Sequence, residues 1–189
     1  MALAGVWDRG TLIPFPADGS AMRVAIISDT HVPSRAVGIP AWVRDEVRAA
    51  DHTIHAGDFD SREAYETVVD LAAELTAVRG NMDPPMADGD LPEVASVDLD
   101  GVRFVVTHGT GALDTYRERV EGVVRAEADD HDGPVVGVSG HTHQLTDERL
   151  DDLRLLNPGS ATGADPAMRT TMLVVRCSDG AYEVSAEER

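Results

Sequence analysis

Between Arg23 and Asn81 the chain alternates three short β-branched runs with two stretches of helical periodicity, and this alternation restricts the fold more than any other feature. "RVAIIS" (Arg23–Ser28) reads as a buried strand. Pro40 then opens "PAWVRDEVRAA", a helix with Val43 and Val47 on one face. "HTIHAGD" is a second strand ending in Gly57-Asp58. Ser61 caps "REAYETVVDLAAEL", with Glu63 and Glu66 in its early turns and Ala64, Val68 and Leu71 as its apolar stripe. "TAVRGN" closes the series as a third strand and turn. A β-α-β-α-β order calls for a parallel sheet.

The pattern then changes. "EVASVDL" and "VRFVVTHG" flank Asp100-Gly101, a two-residue hairpin signal. Leu113 to Glu127 places Leu113, Tyr116, Val120, Val123 and Val124 at helical spacing, and "PVVGVSG" is another buried strand. Short strands follow near Leu145–Leu150 and Arg154–Leu156, and a last hairpin turns at Asp179-Gly180. Two sheets with helices outside, an α/β sandwich, account for this mixture. At 189 residues the chain suits one domain, expected over 22–189. Residues 1–21, rich in Pro, Gly and Asp and without a secretory pattern, read as an irregular extension, and Met22 is an alternative start.

Composition narrows the function classes. The single Cys177 excludes an internal disulfide framework and a thiolate metal cluster, and suits a reducing cytoplasm, the expected location. No apolar run approaches the roughly 20 residues that span a bilayer, so no membrane role is expected. The net charge is −18, with 34 acids against 16 bases, and every base is arginine. GC-rich codon usage with an acidic surface would give this; so would a halophilic protein kept hydrated by carboxylates in a salty cytoplasm, the reading favoured here. Such a surface opposes non-specific nucleic-acid binding, which needs neutralised phosphates.

The chemistry gathers where the apolar runs stop. The runs end in Asp29-Thr30-His31, Gly57-Asp58, Gly80-Asn81, His108-Gly109 and Gly140-His141-Thr142-His143. In open α/β sheets ligands bind beyond the carboxyl ends of strands, so these fragments can meet in one crevice. Singly they are turn dipeptides, a helix cap or a loop. "GHTH" is more specific: two imidazoles two positions apart, in extended backbone, project to the same side and suit a metal. Imidazole and carboxylate without thiolate fit Mn²⁺, Zn²⁺, Fe, Co²⁺ or Ni²⁺ alike.

The ordered set D-x-H, GD, GN, HG, GHxH resembles the calcineurin-like metallophosphoesterase superfamily. With the opening "MRVAIISDTH", the central "HAGD" and "RGNMD" and the late "NPGS", it is similar to the small prokaryotic phosphodiesterase branch related to the retromer scaffold subunit. That resemblance, over roughly Met22 to Val184, implies a four-layer α-β-β-α sandwich of two mixed sheets. It also implies a dinuclear centre: Asp29, His31 and His143 on one ion; Asn81, His108 and His141 on the other; Asp58 bridging. Mn²⁺ is the first expectation for both ions, and Asp58, Asn81 and His108 are the expected catalytic residues. The implied activity is hydrolysis of a small phosphorylated substrate, a phosphodiester first, by a hydroxide bridging ions roughly 3.5–4 Å apart. Asn81, being neutral, would leave its ion more electrophilic than an aspartate would.

Many superfamily phosphatases carry a leaving-group His after the Gly-Asn; here that position is Met82, as in the diesterase branch, and good leaving groups are therefore expected. A phosphomonoesterase or nucleotide phosphatase on the same scaffold, and a non-catalytic interaction platform like the retromer relative, are the alternatives, and a homo-oligomer is left open. His55 is expected to support the site by packing, Asp83 to orient Asn81 or His31 or else to be a turn carboxylate, and His52 and His131 to lie at the surface or at strand starts. Asn157–Ser160 resembles the late loop near the site but also reads as a plain turn, and Arg169 is a poor phosphate contact. "GVSGH" lacks the last Gly of a nucleophile elbow, "HGTGALD" lacks the Lys of a phosphate loop, and "RAEADDHDG" reads as a solvated helix end.

Overall fold

A computed structural model describes residues 21–85, 91–128 and 131–189. The expected N-terminal extension lies, except for Ala21, outside the described residues.

The first half folds as β1 (Met22–Ile27), α1 (Ala41–Arg48), β2 (His52–His55), α2 (Arg62–Leu71) and β3 (Leu75–Ala77). Strands β1, β2 and β3 pair in parallel, in the register Val24 with His52 and Thr53 with Leu75. Then come β4 (Val94–Leu99), β5 (Val102–Thr107), α3 (Tyr116–Ala128), β6 (Val135–Val138), β7 (Leu145–Arg149), β8 (Leu153–Pro158), β9 (Thr171–Ser178) and β10 (Ala181–Glu188). One sheet runs β10-β9-β1-β2-β3 and the other β4-β5-β6-β8-β7. The first is parallel from β1 to β3 and antiparallel from β1 to β10, and the second has a parallel centre with an antiparallel strand at each edge, so both are mixed.

Burial on both faces explains the unbroken apolar runs. In β1, Val24 and Ile26 enter the core between the sheets with Phe104, Val136 and Leu156. Their neighbours Ala25 and Ile27 pack outward on Val43 and Val47 of α1 and on Ala64 and Val68 of α2. Val120 and Val124 of α3 cover Val105, Val135 and Leu155 on the far face of the second sheet. Three apolar layers separate four structural ones, giving an α-β-β-α sandwich.

The local expectations hold with small shifts. Ser61 accepts the Ala64 N–H at 3.1 Å, capping α2. Pro40 precedes the first helical residue and is the cap of α1. Both hairpins turn at Asp100-Gly101 and Asp179-Gly180 with all four residues at positive φ. The third helix starts later than its spacing predicts: Leu113–Thr115 forms a 3₁₀ turn, and Leu113 is 67% exposed. Among the described residues no helix is long and apolar enough to cross a membrane.

Candidate metal centre

The carboxyl ends of β1, β2, β5 and β6 deliver Asp29, His31, Asp58, His108 and His143 to one buried locus. Asp29, His31 and His143 form one compact group of ligand atoms, and Asp29, Asp58 and His108 form another. His143 Nε2 lies 3.2 Å from Asp29 Oδ1, and His31 Nε2 lies 3.8 Å from that oxygen and 3.6 Å from Asp58 Oδ2. His108 Nε2 stands 3.3 Å from Asp58 Oδ2, yet is buried without a hydrogen-bond partner.

The outer ring nitrogens decide what the inner ones can do. A carbonyl oxygen only accepts, so a ring nitrogen bonded to one carries the hydrogen, and the other nitrogen of the neutral ring keeps a lone pair. His108 Nδ1 donates to Ala56 O at 2.7 Å and His143 Nδ1 to Ala164 O at 2.8 Å. His31 Nδ1 donates to the Asp60 carboxylate at 2.8 Å. His31 Nε2 and His143 Nε2 then face each other at 3.0 Å, an arrangement that needs a proton or a metal cation between or beside them. These partners fix the ring orientations that a metal ligand requires.

The charges agree. Burial raises the Asp29 carboxyl, but the neighbouring His143 and His31 imidazoles outweigh it and hold the group below the usual carboxylate range. Asp58 is likewise lowered: burial opposes ionisation, and His108 and the Met82 N–H overcome it. Burial lowers His108 and His143, yet Asp58 and Asp29 raise the first and Asp29 the second. The carboxylates thus draw protons onto imidazoles, which a divalent cation would displace on binding.

His141 and Asn81 are placed differently. His141 lies outside both compact groups; its ring sits edge-on to His108 with centroids 5.3 Å apart, and its Nε2 donates to Gly111 O at 2.9 Å. Asn81 is exposed and shares with His108 the lining of a cleft of about 490 Å³. The expectation of one extended strand end projecting both "GHTH" imidazoles to the same side is corrected. Strand β6 stops at Val138, and His141 and His143 have φ of 69° and 56°. The chain turns at each, sending His143 toward His31 and His141 toward His108.

Positive φ recurs at Asp29, His31, Asp58 and Asp60. Asp and His tolerate this region better than most residues, although it costs of order 1 kcal/mol or more at each. Close packing holds the turns: a Cβ on Gly80 would stand 2.0 Å from Asp58 Oδ1, and one on Gly140 would stand 2.1 Å from Ser28 Oγ.

Several supports act only through the tertiary fold. Asp83, expected to orient Asn81 or His31 or else to be a turn carboxylate, accepts the N–H groups of Asp58, Phe59, Asp60 and Gly80 at 2.6–3.0 Å. Asp60, which orients His31, lay unnoticed two residues beyond Asp58, and the repeated carboxylate of "GDFD" was its signal. Asn157 Nδ2 and the Tyr116 hydroxyl both donate to Gly140 O, at 2.7 and 2.8 Å, and Ser160 Oγ donates to Asp29 O at 2.7 Å. The "NPGS" segment is therefore a brace for the site as well as a turn. His55 packs as expected, stacked on Phe59 at 3.6 Å, its Nδ1 accepting the Gly57 N–H. Arg169 pairs with Glu188 instead of reaching the centre.

Comparison with known proteins agrees with this geometry. A probable metallophosphoesterase of Methanocaldococcus jannaschii is 32% identical over 169 residues, covering 84% of this chain and 83% of that protein. A phosphodiesterase of the same organism is 27% identical over 155 residues, covering 75% of this chain and 86% of the relative. Among solved structures, a single-mutant Vps29 from Entamoeba histolytica superposes with a TM-score of 0.70 at 24% identity, over 89% of this chain and 99% of that one. The Zn²⁺ complex of wild-type Vps29 from that organism gives 0.64 at 25% identity, over 88% and 99%. Residues 22–180 match the Calcineurin-like phosphoesterase superfamily domain, and the chain belongs to that superfamily.

Proposed function

We propose that this chain hydrolyses phosphodiesters with a pair of divalent cations. The observation that carries the reading is the set of buried, inward-facing ring nitrogens of His31, His108 and His143, each with its outer nitrogen engaged, around the carboxylates of Asp29 and Asp58. Asp29, His31 and His143 would hold one cation and Asn81, His108 and His141 the other; Asp58, with Oδ2 3.6 Å from His31 Nε2 and 3.3 Å from His108 Nε2, would bridge them, beside Asp29, which the two compact groups share. Bound there, the cations would supply Lewis-acid charge to the phosphoryl group and a water made acidic enough to attack at neutral pH.

The chain's own residues shape what is cleaved. Met82 is exposed, its thioether carries no proton to give a departing oxygen, and its N–H is spent on Asp58 Oδ1 at 2.8 Å. Esters with stable leaving groups suit such a site best. Arg79 and Arg119 line the cleft beside Asn81 and His108, but Glu93 and Asp83 line it too and Arg79 pairs with Glu93 at 2.9 Å, so the cations would have to supply the charge that attracts a phosphate. Similarity to a relative named a phosphodiesterase favours diesters over monoesters.

The test compares hydrolysis of bis-p-nitrophenyl phosphate and p-nitrophenyl phosphate in molar KCl, with added Mn²⁺ and a chelator control. Metal-dependent cleavage favouring the diester is the expected result. A monoester preference replaces the substrate class, and folded protein that binds no metal overturns the reading.

A further inference from the structure

Helix α3 carries Arg119 to the loop that follows β5. One terminal nitrogen of its guanidinium donates to Gly109 O at 2.9 Å and to Ala112 O at 3.1 Å, and the other donates to Thr115 Oγ1 at 2.9 Å. The planar group also lies against Gly111, where a Cβ would meet Cζ at 2.9 Å and Nε at 3.2 Å. Gly111 has φ +133° and sits between the two tethered carbonyls. Its own carbonyl accepts His141 Nε2–H at 2.9 Å, which leaves the lone pair of neutral His141 on Nδ1.

We propose that Arg119 is a positioning residue for the cation held by His141. By tying down Gly109 and Ala112 and packing flat on Gly111, it holds the Gly111 carbonyl where it fixes the His141 tautomer. Arginine suits the task because its rigid fork bonds two carbonyls from one nitrogen while its face packs on backbone; a lysine ammonium has no such plane. His141 depends on this device more than its neighbours do. The outer nitrogen of His108 bonds a carbonyl at the end of β2, whereas that of His141 bonds a loop carbonyl whose flanking carbonyls are held by Arg119. The inference rests on reading His141 as a ligand through Nδ1.

The test reads the tautomer before it reads the metal. In metal-free protein, ¹⁵N–¹H spectra of the histidine rings should show His141 protonated at Nε2. Arg119→Met and Gly111→Ala should both turn that signal into a mixture of tautomers, and Arg119→Lys should fail to restore it. Calorimetric Zn²⁺ titration of the same variants should weaken one of two sites by roughly 10–100-fold and leave the other near its wild-type affinity. An unchanged His141 signal in the folded variants overturns the role of Arg119. If Zn²⁺ leaves the wild-type His141 resonances unmoved, the ligand reading of His141 falls and the proposal with it. If Zn²⁺ moves them and the variants still bind both ions at wild-type affinity, the role of Arg119 alone falls.

Discussion

Removing the carboxylate of Asp83 should loosen the loop that presents Asp58 and cost stability even when no metal is present. Its Oδ1 accepts the N–H groups of Phe59 at 2.6 Å and Asp60 at 3.0 Å, and Oδ2 those of Gly80 at 2.8 Å and Asp58 at 3.0 Å. A hydrogen bond to a charged group is worth about 1.5–3 kcal/mol when its partner cannot be replaced. Asp83 is half-buried, so water can reach part of what alanine vacates, and the four bonds share one anchor and do not add. A loss of about 3 kcal/mol is therefore expected for Asp83→Ala. Asp83→Asn should fall nearly as far, because its NH₂ would face one pair of N–H donors that the carboxylate accepts. At about 2–4 °C per kcal/mol for a chain of this size, the melting temperature of chelator-treated protein in molar KCl should drop by roughly 6–12 °C. Two variants melting within about 2 °C of the wild type would refute the claim that this carboxylate holds the loop.

Two further outcomes follow from the same geometry. Burial drives His55 down to about 3 from 6.5, so the unfolded chain takes up the proton first and stability falls as pH drops between those values, by about 1.4 kcal/mol per unit. Lowered Asp29 and Asp58 act mainly below 3.8, and raised His108 and His143 act above 6.5, so urea unfolding of metal-free protein between pH 6 and 4 isolates buried histidine, to which half-buried His52 adds a share. His55→Gln should flatten that slope, and an unaltered slope would assign it to other groups. For Gly80→Ala, the new Cβ meets Asp58 Oδ1 at 2.0 Å and the unyielding Asp58 N at 2.5 Å, so metal analysis after dialysis should find one ion or fewer, against the two that the proposed centre would hold in the wild type. Two retained ions would show that Asp58 can move without harm.

How much of this was legible in the sequence depends on how far each residue acts along the chain. The strands were readable because Val24 and Ile26 face one layer and Ala25 and Ile27 another, which writes burial on both faces as an unbroken apolar run. The ligand-type residues were readable because each follows its strand within a few positions, as Asp29 and His31 follow Ile27. What the spacing misled on was direction. Two residues apart implies one side only in extended chain, and His141 and His143 sit in left-handed turns that send their rings to different neighbours. The supports were hidden for a different reason. Asp83 serves amides up to 25 residues earlier, Asn157 reaches back 17 residues to Gly140, and Arg119 acts on His141 only through a carbonyl of a third segment. "RGNMD" and "NPGS" marked Asp83 and Asn157 as near the site, but no local pattern says which amides and carbonyls they hold, and Arg119 reads as ordinary surface. The residues that would touch a cation are set by short-range turns, and those that hold the turns are set by the packing of two sheets. Substitutions in the second class should therefore alter metal affinity and tautomer while leaving every ligand in place, and this separates a brace from a ligand more sharply than loss of activity does.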